Sequence, residues 1–135
     1  MTYIADTLRR LVRERAGYRC EYCLINEAYT IKRHEIDHIF AEKHDGLTEE
    51  SNLCLSCHDC NRHKGTDLTT FDPLTGEKVS LFHPRLDQWH DHFQILEGYI
   101  QPITAIGRAT TKLLHFNDDT RVLERLLLIA QKRYP

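Results

Sequence analysis

Two Cys-x-x-Cys pairs, Cys20-Glu-Tyr-Cys23 and Cys57-His-Asp-Cys60, constrain this chain more than anything else in it. A two-residue spacer forms a tight knuckle that turns both sulfurs of a pair the same way. Two such knuckles can therefore converge four thiolates on one Zn²⁺. The fold must bring position 20 back beside position 60, so whatever lies between them is closed into a loop by the clamp. A fifth cysteine, Cys54, makes a formal third pair with Cys57. It alternates with Leu53 and Leu55 in a short apolar run and is read as a buried small hydrophobe.

At 135 residues the chain suits one domain, 1–135, with a core at about 18–66 and an extension at about 67–135 packed on it. No apolar run is long enough to span a bilayer, and the N-terminal segment is arginine-rich without a hydrophobic signal core. A soluble, cytoplasmic protein without a membrane partner is expected. The net charge of −2 conceals segregation. Residues 1–33 carry seven Lys/Arg against four acids, whereas 35–59 carry seven acids against Lys43 alone. A basic rim around an acidic, metal-seeking centre fits a phosphate backbone; a plain solvated helix face is the alternative for the arginines taken alone.

Periodicity predicts an amphipathic helix over 3–16, ending near Gly17, with Ile4, Leu8, Leu11 and Val12 on its apolar side. A strand is expected over 30–39 and another over 52–56, pairing antiparallel, then a helix over 58–64 stopped by Gly65. Beyond these, turn chemistry at 72–77 precedes a possible strand at 79–82, and a hairpin is expected at 93–100. Helices follow at 104–115 and 120–133, the last with a broad apolar face of Val122, Leu123, Leu126, Leu127 and Ala130.

Between the cysteine pairs stands Glu35-Ile-Asp37-His38-Ile39. Adjacent strand residues point to opposite faces, so Asp37 can face a metal while His38 reaches a substrate from the other side. Asp37-His38, Asn52 fourteen residues after His38, and Asn61 twenty-three after it together resemble the HNH endonuclease family. The spacing is similar to that of the HNH domain of RNA-guided Cas9 enzymes, with Asn61 in the place of the third histidine. Leu81-Phe82-His83-Pro84-Arg85, Trp89-His90-Asp91-His92-Phe93 and Thr104–Thr110 resemble the tails of small stand-alone bacterial HNH proteins.

The resemblance implies an α+β protein with a ββα-metal (His-Me finger) core, a four-cysteine zinc site, an N-terminal helix and a mixed hairpin and helix C-terminal extension. It implies Asp37 and Asn61 as ligands of one Mg²⁺ or Mn²⁺ ion, Ni²⁺ being a further option, with His38 as general base and Asn52 orienting the loop and His38. The expected activity is hydrolysis of DNA phosphodiester bonds, double-stranded DNA being favoured over RNA, by a monomer or homodimer. Lys64, Arg62 and Arg85 are candidate DNA contacts. Among the tail residues, His83, Trp89, His90 and His92 could line a DNA groove, while core packing is the simpler reading of Trp89. The rival functional reading is a zinc-knuckle module that binds nucleic acid without cutting it, alone or in a larger defence or recombination complex. A purely structural zinc protein ranks last because it leaves the Asp-His, Asn, Asn spacing unexplained.

Overall fold

A computed structural model describes residues 3–135. It is a mixed α+β arrangement of five helices and three two-stranded antiparallel sheets. Helix α1 spans Asp6–Arg15, shorter than expected by a turn at its start. Strands β1 (Glu35–His38) and β2 (Leu53–Ser56) pair in the register Glu35–Ser56, Ile36–Leu55, Asp37–Cys54, His38–Leu53. Helix α2 (His58–Lys64) follows at once and ends at Gly65, whose φ of 52° suits a residue without Cβ. These elements form the expected strand, loop, strand, helix core.

The expected strand over 30–39 begins only at Glu35. Upstream, the Glu27 carboxylate takes hydrogen bonds from the His34 amide and from Arg13, and Thr30 Oγ1 donates to the carbonyls of Glu27 and Lys32. The backbone there is held by side chains instead of a ladder.

All four residues of β2 are buried, because the strand is covered on both sides. Leu53 and Leu55 pack with Ile4 and Val12 on the α1 side, and Ile36 joins them from β1. Cys54 faces the other way, with its Sγ 3.7 Å from the Tyr22 hydroxyl, buried as its alternation predicted. Pleating therefore assigns Ile36 and His38 to the α1 face, and Glu35 and Asp37 to the α2 face.

The chain after Gly65 forms β3 (Thr69–Phe71) paired with β4 (Lys78–Ser80) around the 72–77 turn. Leu81 and Phe82, expected to continue β4, drop into the core instead. A one-turn helix, α3 (Trp89–His92), leads into β5 (Phe93–Leu96) and β6 (Tyr99–Pro102), the expected hairpin. Helix α4 (Ala105–Leu113) is capped by Thr104, whose hydroxyl accepts from the Gly107 amide at 3.0 Å. Gly107 lies so close to the His92 carbonyl that a Cβ would sit 2.3 Å from its oxygen.

The last helix, α5 (Asp119–Ala130), corrects the expected apolar face. Leu123 and Leu127 are 57% exposed and Leu126 is 40% exposed, while Arg121, Val122, Arg125 and Leu128 turn inward. The two arginines are buried because the core offers them acceptors. Arg125 donates to the carbonyls of Gly98 and Phe116, and Arg121 to those of Leu114 and His115.

One apolar cluster joins the two halves of the chain. Cys20, Tyr22, Cys23, Ile25, Cys57 and Cys60 pack with Phe82, Phe93, Ile100, Leu114, Phe116 and Leu128. Trp89 Nε1 donates to the Tyr22 carbonyl at 2.8 Å and the Tyr134 hydroxyl to the Cys23 carbonyl at 2.6 Å. Trp89 thus packs against the knuckle, as the simpler reading held. No helix among the described residues is long and apolar enough to cross a membrane.

Candidate active site

The four cysteines of the two knuckles meet. Their sulfurs all lie within 4.8 Å of one another, and all four residues are buried. Each knuckle is closed by an amide pointing at its first sulfur, Cys23 N at Cys20 Sγ and Cys60 N at Cys57 Sγ, both at 3.4 Å. Cys57 is also the N-cap of α2, so one sulfur both starts the helix and belongs to the cluster. Hydrogen bonds from Cys20, Cys57 and Cys60 hold the Cys23 thiol well below its ordinary range. Hydrogen bonds with Cys20 and Cys23 push Cys57 up, with Cys60 pulling against them, and burial pushes Cys60 up. Four thiols crowded in a dry pocket cannot all ionise unless a cation joins them. The donor set and its burial fit a tetrahedral Zn²⁺.

Arg121, which sequence reading missed, lies against this cluster. Its Nη2 donates to Cys60 Sγ at 3.2 Å and lies 3.9 Å from Cys57 Sγ. Burial alone pulls its guanidinium down, but the sulfurs around it hold it well above its usual value. The signal available in the sequence was an arginine at a helical core position, i and i+4 with Arg125, where an apolar residue is expected.

On the other side of β2 lies the His38 cleft, lined by Arg9, Arg13, Glu35, Glu42, His38 and Asn61, with a volume near 470 Å³. His38 Nε2 is 2.9 Å from Thr48 Oγ1 and 3.5 Å from Glu42 Oε1. Both partners come from the loop between β1 and β2. Asn52, 9% exposed, fastens that loop: its Nδ2 donates to the carbonyls of Phe40 (2.9 Å) and Leu47 (2.8 Å), and its Oδ1 accepts from the Phe40 amide (2.8 Å). Gly46 lets the loop close, since a Cβ there would lie 1.7 Å from the Phe40 oxygen.

The expected ligand pair meets different partners. Asp37 Oδ2 is 3.2 Å from Lys64 Nζ, and Asn61 Nδ2 donates to the Glu35 carboxylate. Burial raises the Asp37 carboxyl above its ordinary value, with Lys64 pulling against it. Lys64, expected at a phosphate, is 3% exposed and also lies 3.4 Å from the His38 carbonyl. Its position three residues after Asn61 puts both on the α2 face that meets β1. Arg62 is exposed beside them, 3.8 Å from Asp59, whereas Arg85 is largely covered and paired with Glu21, distant in sequence from the dyad. With its NH₂ given to Glu35, Asn61 keeps its carbonyl oxygen as a donor. Along the β1–α2 seam Glu35 and Asn61 are thus in contact with each other, while Asp37 is held by Lys64. The parts played by Glu35 and Thr48 were not foreseen in sequence, and Arg9 and Glu42 were read only as members of the basic N-terminal segment and the acidic loop; the period-2 alternation with Asp37 was the available signal for Glu35.

Searches of curated proteins and of solved structures find no match to the chain. A family model described as HNH endonuclease matches residues 20–67. That span runs from the first cysteine of one knuckle through Asp37, His38, Asn52 and Asn61 to just past α2, and it coincides with the strand, loop, strand, helix core. Residues 20–67, the part of the chain that holds both knuckles and the Asp37-His38 dyad, are therefore similar to an HNH endonuclease domain.

Proposed function

We propose that the protein is a metal-dependent endonuclease that hydrolyses DNA phosphodiester bonds at His38, with a structural Zn²⁺ in the four-cysteine cluster. The observation that carries this reading is the His38 imidazole, held by Thr48 and Glu42 in a cleft that Arg9, Arg13, Glu35 and Asn61 also line, with Asp37 next to it in the strand. A neutral imidazole can take the proton of a water that attacks phosphorus. The water oxygen bonds to phosphorus, the bond to the 3′ oxygen breaks, and that oxygen gains a proton, leaving 5′-phosphate and 3′-hydroxyl ends. Glu42, beside the ring, stabilises the imidazolium as it forms. Asn52 keeps Thr48 and Glu42 in place by fastening the loop. Asp37 and Asn61 would hold a Mg²⁺ or Mn²⁺ ion, Ni²⁺ serving as a substitute, and Glu35 stands next to them. Such an ion would supply positive charge beside the reacting phosphate. Arg9 and Arg62, flanking the cleft and α2, meet the phosphate backbone.

Supercoiled-plasmid cleavage tests this. Wild type should nick in Mg²⁺ or Mn²⁺, and His38→Ala should lose on the order of 10²–10⁴ in rate. Unimpaired cutting by folded His38→Ala would refute the assigned base. The Asp37–Lys64 ion pair favours one other reading, a zinc-knuckle module that binds nucleic acid without cutting, because it occupies an expected ligand. Tight, salt-dependent binding without products in any of the three metals would select it.

A further inference from the structure

Apart from the sulfur cluster and the His38 cleft, two histidines and an aspartate from distant parts of the chain meet. His63 lies on α2, His115 in the corner between α4 and α5, and Asp118 at the N-cap of α5. The two imidazoles stack with centroids 4.0 Å apart and planes 20° from parallel. His115 Nδ1 is 3.4 Å from an Asp118 carboxylate oxygen. One ring nitrogen from each histidine and one carboxylate oxygen all lie within 4.8 Å of one another.

His115 sits at a fixed corner: its left-handed φ of 53° belongs to the end of α4, where its amide donates to the Lys112 carbonyl and the Phe116 amide to that of Thr111. One further feature points to the cluster. Asp118 occupies an N-cap position, where its carboxylate would ordinarily accept an amide of its own helix, a bond worth about 1 kcal/mol. It makes no such bond and turns to His115 instead. A surface ring stack alone does not explain the diverted carboxylate. The flanking charges oppose each other: Arg62 lies 3.4 Å from His63 Nε2 but also 3.8 Å from Asp59.

We propose that His63, His115 and Asp118 form a second, solvent-facing metal site for a borderline transition ion of the Zn²⁺, Ni²⁺ or Co²⁺ class, completed by water. Two imidazoles and one carboxylate are the donors such ions prefer, whereas Mg²⁺ prefers oxygen alone. An ion there pins the outer side of α2 to the α4–α5 corner, while Cys57 and Cys60 hold the start of the same helix. Asn61, two residues before His63, is thereby fixed from both ends of its helix. The inference is independent of the nuclease reading.

The test uses full-length protein already holding one zinc per chain, titrated with Ni²⁺ or Zn²⁺ while bound equivalents and the imidazole ¹H–¹⁵N signals are followed. The comparison protein is His115→Asn with Asp118→Asn; asparagine tolerates the left-handed backbone. Wild type should take up one more equivalent than this variant, with His63 and His115 ring signals moving together, and affinity for that ion should fall at least tenfold in His63→Gln. Any binding at Asp37 and Asn61 is common to all three proteins and cancels. Equal equivalents in wild type and double variant, or histidine signals that stay still, would overturn the site.

Discussion

Replacing Arg121 by methionine separates what holds the zinc from what holds the fold. The side chain is 7% exposed, and its Nη1 donates to the carbonyls of Leu114 (2.8 Å) and His115 (3.0 Å) while its Nη2 reaches Cys60 Sγ (3.2 Å). Methionine keeps the apolar stem but leaves the buried Leu114 carbonyl without a donor, the His115 carbonyl with only the longer bond from the Asp118 amide, and the four sulfurs without their counter-charge. Removing one partner of a buried charged network costs about 3–5 kcal/mol. Loss of a hydrogen bond to a metal ligand lowers metal affinity by roughly 10–100-fold, equivalent to about 1.4–2.7 kcal/mol. The difference, about 2 kcal/mol, belongs to the two carbonyls and should persist whatever the metal does. Zinc competition against a chromogenic chelator gives the first quantity, and urea denaturation of the zinc-loaded protein gives the sum. Arg121→Lys keeps the charge but cannot span carbonyls and sulfurs together, so it should fall between. Zinc affinity of Arg121→Met within twofold of wild type would show that the guanidinium does not feel the sulfurs.

Four further outcomes are expected. Stripping zinc with a strong chelator should unfold the core, read as loss of near-ultraviolet circular dichroism, because the sulfur cluster is part of the main apolar cluster. Lys64→Met should cost about 3–5 kcal/mol in urea denaturation by leaving Asp37 buried and unpaired; it should also move the acidic limb of plasmid cleavage to higher pH, since Lys64 is what pulls the Asp37 carboxyl down. Asn52→Ala should slow cleavage far more than it weakens DNA binding, at a stability cost of roughly 1–3 kcal/mol for the amide and carbonyls left unpaired. Arg108 holds the Asp72 carboxylate well below its usual range. The pair therefore contributes stability above about pH 4, the unfolded value, and loses it as pH falls further; Asp72→Asn should flatten the acid side of a melting-temperature profile.

Much of the core was readable because short spacings carry it. Cys20, Cys23, Cys57 and Cys60 could be assembled from their two-residue spacers, and α2 could be bounded by Cys57 and Gly65, since knuckles and helix stops are local devices. The faces of Asp37 and His38 followed from strand pleating alone. What escaped was non-local. Nothing near Arg121 in sequence announces that α5 meets the back of a sulfur cluster about sixty residues upstream, so Leu123, Leu126 and Leu127 were assigned to its buried face in place of the arginines. The Asp37–Lys64 and Glu35–Asn61 pairings likewise depend on the exact seating of α2 on β1. The strand at 30–39 was overextended because Glu27 and Thr30, outside it, hold the backbone that a ladder would otherwise have claimed.

The three hydrogen bonds of Asn52 also bear on how the fold is reached. Closing the long connection between β1 and β2 is an entropic cost that grows with the logarithm of its length. Tying Phe40 and Leu47 to position 52 divides that connection into two smaller rings. Chain inserted on either side of Leu47 would enlarge only one ring, whereas chain inserted between Ile39 and Phe40 would separate the Ile39 amide, which donates to the Asn52 carbonyl, from the Phe40 groups that the Asn52 side chain grips. Length variation in this loop should therefore be tolerated between those anchor points and not at them, which makes Asn52 the residue that sets how large the loop over His38 can grow.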